Sequence, residues 1–145
     1  MIDCKRWKYF KELSEILRNI FRCAIVKIGY QDELSDVEAD YDCVNKLDIL
    51  ETAGVINVLD ILITVDTGNM HIADALNIPM VVLFGGSLVS KNGPLSRNAK
   101  VLRLGMPCQP CQRTGSFTNC QKTTCLDELY PGKLVPWIIR LLSKK

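Results

Sequence analysis

The sequence lacks any apolar run of the roughly 20 residues needed to cross a bilayer. It also lacks an apolar signal core near its start, MIDCKRWKYF, so we expect a cytoplasmic protein with no transmembrane segment. Internal repeats and low-complexity tracts are absent, which disfavours repeat architectures. The net charge is only +2, which gives no argument for nucleic-acid binding.

The net charge is small, but the charged residues are unevenly distributed along the chain. Residues 32–51 carry eight acids and one lysine, whereas residues 86–145 carry ten Lys or Arg and two acids. The simplest interpretation of both segments is a solvated surface. A sharper one is that the basic C-terminal part attracts an anionic ligand or lipid.

Seven cysteines are present, but without a secretory signal a disulfide framework is not the default. Cys108, Cys111, Cys120 and Cys125 fall within eighteen residues. Four thiolates in a short irregular loop are typical tetrahedral zinc ligands. Four reduced thiols or adventitious disulfides are the alternatives, and we predict no metal or cofactor.

Apolar periodicity predicts helices and short buried strands that alternate along the chain. The predicted helices cover 7–21, 48–57 (with Asp48 and Glu51 as an N-cap pair), 68–76 and 133–143, and the predicted strands cover 23–29, 61–65, 80–84 and 100–104. Residues 31–42 are predicted as a loop with one helical turn, and 105–128 as a cysteine-rich loop. The alternation predicts an α/β fold in one domain, residues 1–145, with a parallel sheet covered by helices on both faces.

An Asp-Thr-Gly turn follows the predicted strand 61–65, at the sheet edge where parallel α/β folds bind ligands. Glycine allows a close approach of the backbone, and the helix after it starts with unpaired N–H groups that attract anions. His71, the sole histidine, lies in that first turn and could donate to a phosphate or a sugar hydroxyl. The alternatives are an ordinary N-cap at Asp66 or Thr67 and a surface histidine. A second glycine turn, 85–87, on the same edge favours a crevice.

The segment VDTGNMHIADALNIPMVVLFGGS closely resembles the signature of glycosyltransferase family 9, the ADP-heptose:lipopolysaccharide heptosyltransferases. KRWKYFKELSEIL resembles the helix that opens the family's C-terminal half, and PCQPCQRTGSFTNCQKTTCLDEL resembles its cysteine-bearing segment. The resemblance implies the GT-B architecture, in which two Rossmann-like domains face each other across a cleft. The C-terminal domain holds the nucleotide sugar, and the N-terminal domain holds the acceptor and a catalytic carboxylate. This chain resembles the C-terminal half, with that half's first strand missing.

The resemblance also implies a role for particular residues. Those expected to bind the donor are Asp66 (sugar), Thr67 and Gly68 (diphosphate), His71 (phosphates or sugar), Lys5 (phosphates) and Glu33 (ribose). No metal is implied, because the helix N-terminus and basic groups replace it. Asp74 departs from the family's small residue at its position, and two roles are open for it: pairing with His71, or repelling a diphosphate.

The function implied is that of the donor-binding half of an enzyme that transfers an ADP-linked heptose, or a related sugar, to lipopolysaccharide core. The inner face of the inner membrane is the candidate peripheral location. The expected partners are the nucleotide sugar, the lipopolysaccharide acceptor of the complete enzyme, and a missing N-terminal domain or partner chain. The alternative is a truncated or split-gene binding module without transferase activity of its own.

Overall fold

The computed structural model describes residues 5–30, 34–111 and 124–144. The helices within these ranges are α1 Phe10–Phe21, α2 Ile49–Asn57, α3 Gly68–Ala75, α4 Val89–Asn92, α5 Thr124–Asp127 and α6 Val135–Leu142, with a 3₁₀ turn at Pro131–Lys133. The strands are β1 Val26–Gly29, β2 Tyr41–Val44, β3 Leu62–Val65, β4 Met80–Leu83 and β5 Ala99–Leu102. Among the residues described, no helix is both long and apolar enough to cross a membrane.

The strands pair in parallel, which confirms the predicted α/β class. They form two hydrogen-bonded sheets, β1–β2 and β3–β4–β5, where the sequence predicts a single sheet. Helix α3 joins β3 to β4 and helix α4 joins β4 to β5, as crossover connections between parallel strands. The three-stranded sheet carries the candidate site at its carboxyl edge.

Strand β4 is apolar throughout because both of its faces are covered. Val81 and Leu83 point to one face, where they pack with α1, α5 and α6. Met80 and Val82 point to the other face, where they pack with α2 and α3. Alternation of side chains along a strand therefore places helices on both sides of the sheet, as predicted.

Helix α2 begins where the sequence predicts. The Asp48 side chain accepts hydrogen bonds from the N–H groups of Leu50 and Glu51, both at 2.8 Å, and the Glu51 carboxylate accepts from the Asp48 N–H at 2.9 Å. This reciprocal pair is a capping box, and it sets the start of the helix independently of the core.

The prediction of a loop for residues 31–42 is wrong at its end, because β2 begins at Tyr41 and pairs with β1. Ion pairs and a hydrogen bond to Asp42 and Asp40 hold strand β2 beside β1. The Lys27 ammonium donates to the Asp42 carboxylate at 2.8 Å, and this hydrogen bond lowers the pKa of Asp42. The Asp40 carboxylate accepts from the Ile25 N–H at 2.7 Å and pairs with Arg18 at 2.8 Å, and its pKa is also lowered, mainly by the Ile25 N–H. Polar contacts of this kind leave no apolar pattern for sequence analysis to detect.

Candidate functional site

Asp66 lies immediately after β3, at the carboxyl edge of the three-stranded sheet, and is only 5% exposed. Lys5, 61 positions earlier in the sequence, donates from its ammonium to the Asp66 carboxylate at 2.9 Å. The same ammonium donates to the Asp66 backbone carbonyl at 3.0 Å. Two predicted site residues that are 61 positions apart in the sequence therefore meet, and the lysine compensates a buried negative charge.

Thr67 joins Asp66 to helix α3 in an extended conformation, with φ −143° and ψ 173°. Its side chain makes no capping hydrogen bond to the helix. Its hydroxyl instead lies 3.2 Å from that of Thr64 on β3. Thr67 therefore occupies the N-cap position of α3 without the side-chain hydrogen bond of an ordinary N-cap, and its hydroxyl does not occupy the first N–H groups of the helix.

Gly68 is the first residue of α3. Apart from its chain neighbours and the backbone of α3 itself, a Cβ atom built at this position would meet no heavy atom within 4 Å. A larger residue than glycine would therefore fit at position 68 without a clash with the rest of the described protein. The open space in front of Gly68 allows a ligand to approach the backbone N–H groups closely.

His71 lies one turn into α3 and is exposed. Asp74 forms no ion pair with His71 in the described part of the chain. Pairing with His71, one of the two roles considered for Asp74, is therefore excluded. Its carboxylate accepts hydrogen bonds from the backbone N–H groups of Leu95 at 2.9 Å and Ser96 at 2.8 Å. Asp74 thus holds the loop before β5 against α3, and two N–H donors offset its charge.

The glycine turn 85–87 follows β4 on the same edge as Asp66, and its three residues are buried. Gln109 donates from its side-chain amide to the Gly85 carbonyl at 2.8 Å, and its amide oxygen accepts from the Met106 N–H at 2.9 Å. Sequence analysis missed this positioning residue because its contact bridges 24 positions and has no local pattern.

The predicted donor-binding residues and the predicted set of four cysteines are each only partly within the residues that the structure describes. Glu33 and Cys120 lie outside the described residues. Cys108 is exposed, whereas Cys111 and Cys125 are buried. Within 5–30, 34–111 and 124–144, no three His, Cys, Asp or Glu side chains come together as metal ligands. Zinc on the cysteine segment stays an untested possibility of the sequence, because Cys120 belongs to the proposed set.

The sequence that contains the Asp-Thr-Gly turn is similar to known proteins. The sequence model of glycosyltransferase family 9 (heptosyltransferase) matches residues 2–122. The chain belongs to this family. It is 32% identical over 98 residues to lipooligosaccharide heptosyltransferase 2 of Campylobacter jejuni subsp. jejuni serotype O:6, covering 67% of this chain and 30% of that protein. It is 49% identical over 43 residues to lipopolysaccharide heptosyltransferase 2 of Escherichia coli, covering 30% of this chain and 12% of that protein.

Solved structures of family 9 show the same fold. The chain superposes on the glycosyl transferase family 9 protein of Veillonella parvula with a TM-score of 0.80 at 20% identity, covering 98% of this chain and 43% of that one. The ADP-heptose lipopolysaccharide heptosyltransferase II of E. coli gives a TM-score of 0.77 at 22% identity, with 97% and 43% coverage. The chain thus spans less than half of these structures and at most about a third of the curated relatives.

Proposed function

We propose that this chain binds the donor of a heptosyltransferase, an ADP-linked heptose or related nucleotide sugar, at the carboxyl edge of β3. The observation that carries the proposal is the N-terminus of α3. The Thr67 side chain makes no capping hydrogen bond to this terminus, open space lies in front of Gly68, and the partly buried Lys5–Asp66 pair stands beside it. Anions are stabilised at such a terminus by the unpaired N–H groups and by the helix dipole.

Each residue at the turn has a chemical task in this proposal. The diphosphate lies against the N–H groups at Gly68, and His71 donates to a phosphate or a sugar hydroxyl. Asp66 accepts a hydrogen bond from a sugar hydroxyl, and its pairing with Lys5 fixes the carboxylate in one position. Donors fixed around the diphosphate stabilise the negative charge that develops on it as the sugar leaves.

Transfer also needs a group that accepts the proton of the attacking hydroxyl. By family resemblance, that carboxylate belongs to the N-terminal half, which has no counterpart in the region matched here. We therefore propose that this chain alone binds the donor without turnover, and that the complete enzyme transfers sugar to lipopolysaccharide core on the cytoplasmic side of the inner membrane. The limited coverage of the curated relatives supports this division.

Calorimetric titration of the chain with ADP, UDP, GDP and an ADP-sugar tests the proposal. We expect ADP and the ADP-sugar to bind best, and His71→Ala to weaken both by about tenfold or more, as for loss of one hydrogen bond to a charged group. Lys11→Ala, which removes an exposed cation on α1, is the matched control and should leave the affinity unchanged. If none of the four ligands binds, the proposal is wrong, although the assignment of the fold would still hold.

Gly68→Ala separates binding from stability. Alanine fits the open space at this helical position and should raise the free energy of unfolding by about 0.5–1 kcal/mol. Its methyl group occupies the space proposed for the diphosphate, so affinity for ADP should fall by about tenfold or more. Thermal unfolding and calorimetry on the same samples give both quantities.

Gly54→Ala is the matched control for this substitution. Gly54 is an exposed residue within α2 and also has open space around its Cβ position. It should gain similar stability with no change in ADP affinity. Equal affinities for Gly68→Ala and Gly54→Ala would contradict the placement of the diphosphate.

A further inference from the structure

Positive charge is concentrated along one side of α6 and the 3₁₀ turn before it. Lys133, Trp137, Arg140 and Lys144 follow one another at steps of four, three and four residues, so they share one helical face. Lys100 of strand β5 lies beside this face, because its ammonium is 3.6 Å from the Trp137 ring centroid. We call these five residues the basic α6 face.

Aromatic rings hold three of the four cations in place. Lys100 and Arg140 both lie over the Trp137 ring, and Arg140 is 5.5 Å from its centroid. Lys133 lies over the Tyr130 ring at 4.8 Å. Within 5–30, 34–111 and 124–144, none of the cations of the basic α6 face forms an ion pair with a carboxylate. Their charge is therefore available to an anionic partner.

The sequence around the basic α6 face contains few acids. Asp127 and Glu128 are the two acids of residues 86–145, against ten Lys or Arg. Asp127 pairs with Lys8 of the segment before α1, at 3.5 Å. The electrostatic potential over this part of the protein is therefore positive, and it attracts an extended anionic surface.

Exposed apolar groups beside the cations distinguish a lipid bilayer from other polyanions. Tyr130 is 50% exposed, Ile139 on the outer side of α6 is 42% exposed, and Trp137 is half-buried. Tyr and Trp are enriched where a bilayer meets water, because each has an apolar ring and a polar tip. A duplex nucleic acid would match the cations but would leave Ile139 in water.

A second copy of the chain is the other source of negative charge, through its acidic segment 32–51. Several carboxylates of that segment are already used within the chain. Asp40 and Asp42 each form an ion pair at 2.8 Å, and Asp48 and Glu51 form the capping box of α2. The acidic segment is therefore a poorer match for the basic α6 face than a bilayer is.

We infer that the basic α6 face docks on the headgroup phosphates of an anionic bilayer, with α6 lying along the membrane surface. The cations contact the phosphates, and the rings of Trp137 and Tyr130 lie at the level of the headgroups. Docking of this face does not require a nucleotide at the Asp-Thr-Gly turn.

Co-sedimentation of the full chain with vesicles, without nucleotide, tests this docking. Vesicles of phosphatidylglycerol mixed with phosphatidylcholine are compared with vesicles of phosphatidylcholine alone. The double variant Lys133→Gln, Arg140→Gln should bind the anionic vesicles about thirtyfold more weakly, since each cation at an anionic surface contributes about a factor of five. Binding of the unmodified chain should also weaken as salt is added.

A matched double variant removes the same charge from the other side of the sheet. Lys91 and Arg97 are exposed, and α4, which contains Lys91, packs through Val89 against the α2–α3 side. Lys91→Gln with Arg97→Gln should therefore lower the affinity by less than about threefold, because these cations lie away from the docked surface.

Tryptophan fluorescence shows which surface meets the lipid and needs no variant. Emission of the unmodified chain should shift to shorter wavelength on anionic vesicles, and the shift reports on Trp137 because Trp7 is only 3% exposed. Unchanged emission in the bound protein, equal losses for the two double variants, or equal binding to phosphatidylcholine alone would each overturn the inference. So would displacement from the vesicles by an equimolar duplex oligonucleotide, or a dimer in solution that the Lys133→Gln, Arg140→Gln variant abolishes. None of these outcomes bears on the donor-binding proposal.

Discussion

Trp7→Ala is expected to lower the free energy of unfolding by about 3–5 kcal/mol, the usual cost of removing a buried aromatic side chain. Trp7 is 3% exposed and lies before α1 rather than inside it. Its ring meets that of Phe10 edge-on at a centroid distance of 4.9 Å. Its indole N–H donates to the Leu129 carbonyl at 2.8 Å. One side chain therefore joins the start of α1 to the segment that precedes α6, and its loss leaves both a cavity and an unpaired carbonyl.

Two further variants separate these contributions in the same denaturant titration. Trp7→Phe keeps an aromatic ring but loses the hydrogen bond, so a smaller loss of about 1–3 kcal/mol is expected. Trp137→Ala removes a half-buried tryptophan from α6, where Lys100 lies 3.6 Å from its ring centroid. This second alanine variant should cost less than Trp7→Ala. If the order were reversed, Trp7 would not be the main link between the two segments.

The fold was predictable where the cause of structure is local. Strands β3 and β4 are short apolar runs, and the capping box at Asp48 specifies a helix start within four residues. Strand β2 was not predictable, because the Lys27–Asp42 ion pair and the Asp40 contacts that hold it join distant positions. The division into two sheets could not be predicted for a related reason. Apolar runs in a sequence indicate where strands form, but they do not indicate which strands pair with each other.

The candidate site divides in the same way. The Asp-Thr-Gly turn and the start of α3 at Gly68 follow from a strand, a glycine and a helical pattern. Family resemblance gave Asp66 and Lys5 as donor-binding residues, but it did not predict the ion pair that joins them across 61 positions. Neither the local sequence pattern nor the family resemblance predicted the contacts of Asp74 and Gln109. The sequence suggested that Asp74 pairs with His71 or repels a diphosphate. In the structure its carboxylate accepts from two backbone N–H groups more than twenty positions later.

Lys5→Met should destabilise the protein because it leaves the Asp66 carboxylate buried without its cation. A fully buried pair costs about 3–5 kcal/mol to break in this way. The Lys5 side chain is 26% exposed, so solvent offsets part of the loss, and we expect about 2 kcal/mol. Asp66→Asn should cost less, because the amide oxygen still accepts a hydrogen bond from Lys5. The double variant should be more stable than the sum of the two losses predicts, with a coupling of about 0.5–3 kcal/mol; additive losses would mean that the pair contributes no stability.

The same variants tell which part of the donor Asp66 recognises. If Asp66 accepts a hydrogen bond from the sugar, Asp66→Asn should weaken binding of an ADP-sugar by about tenfold or more while leaving the affinity for ADP nearly unchanged. Lys5→Met should weaken both ligands, since it removes a positive charge beside the proposed diphosphate position and releases the carboxylate that it holds. Equal losses for ADP and the ADP-sugar in Asp66→Asn would place the carboxylate away from the sugar. Its burial would then serve only to hold Lys5 against the turn.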